Sequence, residues 1–277
     1  MTKAGATKAG VAEAGATEAG ATRERVTRVG VIGARGAMGR LACASVHAAA
    51  DLELAAEINK GEPLDPLQAC DVAVDLTHPG VVMDHISWCI DHALPVVVGT
   101  SGFTDQRLDQ VRTLLGDGAQ IGVLVVPNFS IGAVLMMRFA AEAAEFFESI
   151  EIVEMHHPDK RDAPSGTALR PAQLVADVRR RSGRPPSPDA TEDDELGARG
   201  GRADDVNVHS LRVRGAVAHQ DVILGNPGEL LSIRHDMFDR AATMPGLLAC
   251  VRVAPTTRGL LVGLQEILER RSPPSDA

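Results

Sequence analysis

The stretch Arg28-Val-Gly-Val-Ile-Gly-Ala-Arg-Gly-Ala-Met-Gly39 predicts how the first half of the chain folds. It begins as a short apolar run of strand length, and the three glycines that follow have the spacing GxxGxxG. Beyond the first glycines, Met38 and Leu41 fall on one face of a helix. A strand that passes through a glycine-rich turn into a helix is the context in which a dinucleotide binds its pyrophosphate. Arg35 replaces the second glycine of the common GxGxxG pattern, so a purely structural turn is the alternative.

Strands and helices then alternate up to Phe129. Strands are predicted at 28–32, 52–56, 72–76, 95–98 and 121–126, and helices lie between them. This order predicts an α/β fold with a Rossmann-like, doubly wound parallel sheet and right-handed crossovers. Ligands bind such sheets beyond the carboxyl ends of the strands, where Thr77, Gly99 and Asn128 fall. Thr77 and Asn128 have a second interpretation as simple caps.

After Phe129 the pattern changes to that of a second, α+β domain. The predicted elements are helices at 131–147 and 165–181, a mobile surface excursion at 183–205, strands at 206–213, 217–224 and 229–234, a helix around Leu247, a strand at 259–262 and a final short helix. Short turns join the three strands before residue 235, so we expect these strands to pair antiparallel and the sheet of this domain to be mostly antiparallel.

A polar cluster lies in Ile150-Glu-Ile-Val-Glu-Met-His-His-Pro-Asp-Lys-Arg-Asp-Ala-Pro-Ser-Gly-Thr-Ala-Leu169. A strand runs into His156 and His157, Lys160 follows in a short loop, and Ser165 is expected to cap the next helix. Because a helix N-terminus presents free N–H groups and the positive end of its dipole, the cluster predicts a site for a small, multiply anionic substrate. A polar strand end is the structural alternative. A metal site is disfavoured, because neighbouring strand residues point to opposite faces and no cysteine lies nearby.

The composition argues against several classes of function. A formal charge of −9 provides no basic stripe for nucleic acid, and a chain without tyrosine and with one tryptophan lacks base-stacking platforms. No apolar run approaches the roughly 20 residues that span a bilayer. The four cysteines are far apart and are expected as buried free thiols in a reducing cytosol. Residues 1–26, rich in Ala, Gly and Thr, are expected to be disordered.

The run from Glu154 to Ala168 resembles the signature of the 4-hydroxy-tetrahydrodipicolinate reductase family, the lysine-pathway enzymes of bacteria and plants. The resemblance spans about residues 27–270 and includes 33–39, 75–79, 99–102, 127–132 and 208–219. It implies NAD(P)H-dependent reduction of 4-hydroxy-tetrahydrodipicolinate, a small dicarboxylate, in the cytoplasm. It also implies a homotetramer built from a dinucleotide-binding domain of residues 27–129 and 237–277 and a substrate-binding and oligomerisation domain of residues 130–236.

The resemblance also implies roles for individual residues. His156 is then the acid–base residue and Lys160 a proton donor. The substrate carboxylates are expected at His157, Ser165, Gly166 and Thr167. Cofactor contacts are expected at Gly33, Ala34, Arg35, Gly36, Ala37, Met38, Asn59, Lys60, Thr77, Gly99, Thr100, Ser101, Val126, Pro127, Asn128 and Phe129. Where some relatives carry an aspartate for the adenosine ribose this chain has Asn59, which predicts that both NADH and NADPH are accepted.

Two other classes of protein fit parts of the pattern. Another Rossmann dehydrogenase, such as a semialdehyde dehydrogenase, needs a nucleophilic cysteine at a helix start, whereas Cys43 and Cys89 fall in mid-helix. A non-catalytic nucleotide sensor would keep the glycine loop but has no need of Lys160 beside two histidines. Oxidation of NAD(P)H on adding the product of dihydrodipicolinate synthase separates the three classes.

Overall fold

Two β-sheets with helices packed on them make up residues 25–271, the part of the chain that this computed structural model describes. The elements in chain order are β1 (Thr27–Ile32), α1 (Ala37–Ala48), β2 (Leu52–Ile58), β3 (Val72–Asp75), α2 (Val82–Asp91), β4 (Val96–Val98), α3 (Asp105–Leu115), β5 (Gly122–Val125), α4 (Ile131–Ala143), β6 (Ser149–His156), α5 (Gly166–Arg181), β7 (Gly201–Ala203), β8 (Val206–Arg212), β9 (Ala218–Asn226), β10 (Glu229–Met237), α6 (Met244–Val253), β11 (Gly259–Val262) and α7 (Leu264–Arg271). The expectation of disorder over residues 1–26 falls on residues 1–24, outside the described residues, and on two residues within them. Of these two, Arg25 donates a hydrogen bond to Asp71.

The first sheet confirms the predicted parallel, Rossmann-like architecture. Its strand order is β11-β5-β4-β3-β1-β2, and every neighbouring pair is parallel. Strands β3, β4 and β5 are buried along their whole length, as expected for a sheet covered on both faces. The chain leaves β1 first towards β2 and later returns to β3 on its other side, which opens a crevice at the carboxyl ends of β1 and β3. Strand β2 runs two residues longer than predicted, because Ile58 is buried and pairs with Ile32.

The second sheet differs from the prediction in its pairing. Its order is β10-β9-β6-β8-β7, so β6 lies between β8 and β9, which are not neighbours. Strand β6 pairs antiparallel with β9 and parallel with β8, so the sheet is mostly antiparallel, as expected, with one parallel pair. The short turn after β8 predicts that β8 and β9 pair as a hairpin. Strand β6 lies between them instead, because its alternate residues Ile150 and Ile152 are buried against α4 and α5. The supposed surface excursion also contains a strand, β7, which pairs with β8.

Helix α4 ends at Ala143, four residues before the predicted end at Phe147. The buried guanidinium of Arg179 on α5 explains where the chain turns. It donates to the carbonyl oxygens of Phe147 at 2.7 Å, Glu148 at 2.9 Å and Pro185 at 2.6 Å. These bonds hold the approach to β6 in a non-helical path while Phe147 packs into the core between the second sheet and its helices.

Candidate active site

A cavity of about 810 Å³ lies between the carboxyl edge of the first sheet and the second sheet with its helix α5. Its walls contain residues predicted for cofactor and for substrate, namely Ser101, Pro127, Asn128, His156, His157, Lys160, Gly166 and Thr167. A smaller cleft of about 440 Å³ borders Ala37 at the start of α1 and also touches His157. Tertiary structure therefore brings together residues far apart in the sequence, since Ala37 and His157 border the same cleft although their positions differ by 120.

The glycine turn has the geometry that a pyrophosphate cradle requires. Gly33 has a φ of +86°, which favours glycine, and a Cβ there would lie 2.9 Å from the carbonyl oxygen of Leu76. A Cβ on Gly39 would lie 2.0 Å from the carbonyl oxygen of Gly33, so helix and turn can pack closely only with glycine there. The first turn of α1 has no acidic residue, and Gly36 at its N-cap carries no side chain to occupy the free N–H groups. An anionic group fits this helix start. Ala34 is buried, Arg35 is exposed and Met38 is half-buried.

Asp75, which the sequence analysis did not assign a role, organises the ends of β3 and β4. Its fully buried carboxylate accepts hydrogen bonds from the Thr77 N–H at 3.0 Å, the Thr77 hydroxyl at 2.7 Å and the Thr100 hydroxyl at 2.9 Å. Its second oxygen lies 2.6 Å from His85 Nδ1. Thr77 and Thr100 thus use their side chains to fix the carboxyl edge of the sheet. A buried aspartate at a strand end, two residues before a threonine, is the sequence signal for this arrangement.

Next along the edge, helix α4 has Ser130 rather than Asn128 as its N-cap, and the Asn128 side chain makes a local bond instead. Its Oδ1 accepts from the Ser130 N–H at 2.8 Å, although the residue also borders the cavity. Phe129 is buried, with its ring 2.6 Å from where a Cβ on Gly99 would be. Val126 is buried too, and its N–H donates to Val98 at 2.8 Å.

Asn59 is already engaged in hydrogen bonds at the end of β2. Its Oδ1 accepts from the Arg35 N–H at 2.9 Å, while its own N–H and side-chain amide donate to Glu62 at 2.7 and 3.1 Å. Lys60 beside it is exposed. Glu62, three residues on and without a distinctive motif, was missed. It places a carboxylate next to the predicted ribose position, and Arg35 lies 4.0 Å from that carboxylate.

His156 is held from behind by the buried carboxylate of Glu154, two residues earlier on the same face of β6. His156 Nδ1 lies 2.5 Å from Glu154 Oε2, and Arg212 of β8 binds both carboxylate oxygens at 3.0 Å. Burial lowers the pKa of His156; Glu154 opposes this change, and Lys160 and Arg212 add to it. Burial would raise the pKa of Glu154, but its bonds to Arg212, Ser210 and His156 hold it below the ordinary value. The pair is thus an ionised carboxylate and a histidine whose ring borders the cavity.

The loop and helix after β6 supply the positive side of the cavity. Lys160 Nζ lies 2.7 Å from Asp162 Oδ1, a bond that is the main cause of the lowered pKa of Asp162. Ser165 is the N-cap of α5, as predicted, but its hydroxyl makes no capping bond and has no hydrogen-bond partner among residues 25–271. Its backbone N–H instead donates to Glu154 Oε1 at 3.3 Å. The next two backbone N–H groups, of Gly166 and Thr167, lie in the first turn of α5 and have no acceptor within the helix. A helix start of this kind is suited to binding carboxylates.

Further cavity residues were not assigned by the sequence analysis: Arg170, His219, Gln220, His235 and Arg240. Gln220 is the most informative of them. Its side chain is buried on β9 opposite Glu154, and its Nε2 has no hydrogen-bond partner within the described part of the chain. A buried amide donor at a cavity wall is costly unless a ligand binds it. No sequence motif marks this residue, which only the strand register places here.

The rival interpretation as a cysteine-dependent dehydrogenase disagrees with the structure. Cys43, Cys89 and Cys250 are buried free thiols, and burial raises their pKa values to about 11, 12 and 12. A nucleophilic cysteine needs the opposite shift and access to a cavity. Cys70 is half-buried rather than buried as expected. Among residues 25–271 no group of three or more His, Cys, Asp or Glu side chains is arranged to hold a metal ion, and no helix there is long and apolar enough to cross a membrane.

The chain is similar over most of its length to known proteins. Residues 27–129 match the family described as dihydrodipicolinate reductase, N-terminus, and residues 132–268 match dihydrodipicolinate reductase, C-terminus. A 4-hydroxy-tetrahydrodipicolinate reductase of Nocardia farcinica (strain IFM 10152) is 52% identical over 244 residues, which cover 87% of this chain and 98% of that protein. The protein of the same name from Streptomyces griseus subsp. griseus is 51% identical over 244 residues, with the same coverage.

The similarity extends to a solved structure. The dipicolinate-bound dihydrodipicolinate reductase from Paenisporosarcina sp. TG-14 superimposes with a TM-score of 0.77 at 35% identity, covering 87% of this chain and 99% of that one. The N-terminal and C-terminal family models thus both match this one chain. The chain also contains the parallel sheet and the polar cavity at the carboxyl edge of that sheet. The chain belongs to the dihydrodipicolinate reductase family.

Proposed function

We propose that this chain reduces 4-hydroxy-tetrahydrodipicolinate to tetrahydrodipicolinate with NADH or NADPH, in the biosynthesis of diaminopimelate and lysine. The observation that carries the proposal is the cavity in which the carboxyl edge of the nucleotide-binding sheet faces His156, Lys160 and the start of α5. The activity of the Nocardia and Streptomyces relatives, as their names give it, supports the same conclusion.

The residues around the cavity suit a cyclic dicarboxylate. The free N–H groups of Gly166 and Thr167, with the hydroxyl of Ser165 behind them, would bind one carboxylate at the positive end of α5. His157 and Lys160 would bind the other, and Arg170 adds positive potential from the same helix. The Paenisporosarcina enzyme binds dipicolinate, a planar dicarboxylate, which supports this class of ligand.

A nicotinamide cofactor fits the cradle formed by the glycine turn and by the strand ends at 77, 99–101 and 126–129, because Gly36 at the N-cap of α1 has no side chain and the first helical turn has no acidic residue to compete with an anionic pyrophosphate. When bound, the cofactor supplies a hydride to the substrate ring. The substrate hydroxyl must leave as water, which requires a proton, and protonated His156 is placed to donate it from Nε2 while Glu154 holds Nδ1. Lys160 is the second donor and keeps the carboxylate-rich substrate neutralised. Closure of one domain on the other would exclude water from the cavity during hydride and proton transfer.

The activity is tested with purified protein, the product of dihydrodipicolinate synthase and either cofactor. We expect oxidation of NAD(P)H that depends on both substrate and enzyme. Binding of the cofactor without substrate-dependent oxidation would instead support a nucleotide sensor and overturn the proposal.

Both cofactors should serve, with a preference within roughly tenfold. Arg35 and Lys60 can pair with a 2′-phosphate, whereas Glu62 beside Asn59 repels it and suits a free 2′-hydroxyl. Asn59→Asp should move the ratio of kcat/KM values towards NADH, and Glu62→Gln should move it towards NADPH. A wild type that prefers NADH a hundredfold, or an unchanged ratio in both variants, would show that the ribose binds elsewhere.

The remaining proposals concern assembly and location. We place the division between the cofactor and substrate domains at 27–129 plus 237–277 and 130–236, supported by the pairing of β11 with β5. The face of the second sheet opposite α4 and α5 carries Leu211 and Leu230, which are 41% and 77% exposed. These exposed apolar side chains support a homotetramer in which this face is buried between copies of the chain. Light scattering of the pure protein tests the assembly. Free thiols and a biosynthetic reaction fit the cytoplasm.

A further inference from the structure

The carboxylate of Glu154 is the most deeply buried acidic group beside the cavity. It lies on the face of β6 that packs against α5, between Ser210 of β8 and Gln220 of β9 in the strand register. Its side chain is fully buried, and an ionised carboxylate in such a place is retained only when every oxygen is bonded. An apolar residue there would leave Arg212 and the Ser165 N–H without their acceptor, so the contacts of this carboxylate indicate why a charge is present.

Those contacts join three separate parts of the substrate site. Oε2 accepts from His156, Oε1 accepts from the Ser165 N–H that precedes the start of α5, and Arg212 binds both oxygens. Arg212 in turn donates to the carbonyl oxygen of Asp162 at 2.7 Å, in the loop that carries Lys160. One carboxylate therefore sets the relative positions of the acid–base histidine, the lysine loop and the carboxylate-binding helix start.

The same contacts fix the chemistry of the imidazole. Because an ionised carboxylate can only accept a hydrogen bond, His156 must carry a proton on Nδ1, which leaves Nε2 as the atom that exchanges protons at the cavity. The other charged or titratable groups that share this space with His156 are Arg212 on β8, Lys160 and Asp162 in the loop, His157, Arg170 on α5, His219 on β9, His235 on β10 and Arg240. Four of these eight groups, the three arginines and Lys160, are cationic and oppose a second positive charge. Glu154 is the carboxylate bonded to the ring, and it favours the imidazolium form.

We propose that Glu154 is a positioning residue of the reductase: it orients His156 and sustains its protonated form, and it couples that histidine to the start of α5. The proposal rests on the reductase function given above. Glu154 is not one of the residues that line the cavity, and it acts through His156 and Ser165. A purely structural role would stabilise the fold without altering the pH at which His156 gains its proton.

Glu154→Gln tests the proposal, with kcat measured over pH and the binding of NADPH measured by fluorescence titration. The amide has nearly the same shape but no charge. We expect kcat to fall by on the order of 10² and NADPH binding to be unchanged, since the first sheet is untouched. Loss of the carboxylate lowers the pKa of His156, so the decline of kcat with rising pH should begin about one pH unit lower than in the wild type.

Further variants make the result decisive. Glu154→Asp keeps the charge and should retain the wild-type pH limb with a smaller loss of kcat. Glu151→Gln, the same change on the opposite face of β6, is the matched control and should leave kcat and its pH limb as in the wild type. Should Glu154→Gln fail to fold, the double variant Glu154→Gln/Arg212→Gln takes its place and is compared with Arg212→Gln alone, so that loss of the arginine, which itself lowers the pKa of His156, is common to both.

The outcomes separate this proposal from the proposed function. An active wild type in which Glu154→Gln keeps the wild-type pH limb or the wild-type turnover would overturn the positioning role alone. A double variant with the pH limb and turnover of Arg212→Gln would do the same. Equal pH limbs and equal losses in the Gln and Asp variants would also overturn it. A wild type without reductase activity would overturn the function itself.

Discussion

Each face of strand β6 carries a glutamate that binds one histidine and one arginine. On the inner face Glu154 binds His156 and Arg212; on the outer face Glu151 binds His209 at 2.6 Å and Arg199 at 2.5 Å. Burial opposes ionisation in both glutamates, and in both the bonded partners hold the carboxyl pKa below its ordinary value. The side chain of Glu154 is fully buried, whereas that of Glu151 is 28% exposed.

The two faces differ in what the histidine ring meets on its other side. His156 borders the cavity, while Nδ1 of His209 packs against the loop at Gly200, where a Cβ would come within 2.8 Å. Arg199, in the same loop, also pairs with Asp189 at 3.1 Å. The outer set of groups therefore fastens the segment before β7 to the sheet, and the inner set presents a titratable nitrogen to the cavity. The residue types are the same, and it is burial and the neighbouring cavity that separate a structural role from a chemical one.

The largest difference between the two faces should appear in stability when the arginine is removed. Arg212→Ala leaves the fully buried Glu154 without its cation and is expected to lower the free energy of unfolding by about 3–5 kcal/mol. Arg199→Ala acts on partly exposed partners and is expected to change it by about 1 kcal/mol or less. Urea denaturation of both variants gives the comparison. Equal losses would mean that the two carboxylates are solvated to the same degree.

A second difference should appear in turnover when the histidine is removed. His156→Ala is expected to lower kcat by on the order of 10² or more, and Lys160→Ala should do the same, with cofactor affinity nearly unchanged. His209→Ala should retain the wild-type kcat, provided that light scattering shows the same assembly. Similar losses of NAD(P)H affinity in the His156 and Lys160 variants would place the chemistry elsewhere.

The smallest effect concerns acid stability, which should be a property of the inner face. Burial lowers the pKa of His156 and of His235, which also borders the cavity. The unfolded chain therefore takes up protons at these histidines first as the pH falls below about 6.5. Their stabilising contribution is complete above that pH and is lost on the way down to the lower, folded-state pKa values. Urea midpoints at about pH 7.5 and about pH 5.5 should differ less in His156→Gln/His235→Gln than in the wild type. An equal difference would contradict this assignment.

The sequence by itself determined the elements that depend on local pattern. The glycine turn at 33–39, the run of buried strands up to Val125 and the strand that ends in His156 follow from apolar periodicity and glycine spacing, which act over a few residues. For the same reason the family signature could be recognised, since its residues are contiguous. The predicted end of α4 at Phe147 was wrong, and strand β7 was missed. Both depend on distant parts of the chain, through the bonds of Arg179 and the pairing with β8.

Tertiary structure decided which of these residues work together. The turn between β8 and β9 indicates a hairpin, yet β6 lies between them, because a long-range strand with buried alternate residues outweighs a local turn. That insertion sets Gln220 and Arg212 beside Glu154, and it turns Glu151 to the opposite face. Glu62 and Asp75 likewise have roles that depend on the folded structure, because each lies where the carboxyl ends of separate strands come together. A sequence records which groups are available, whereas burial and contact depend on packing between segments far apart in the chain, and these set the charge state and the use of each group.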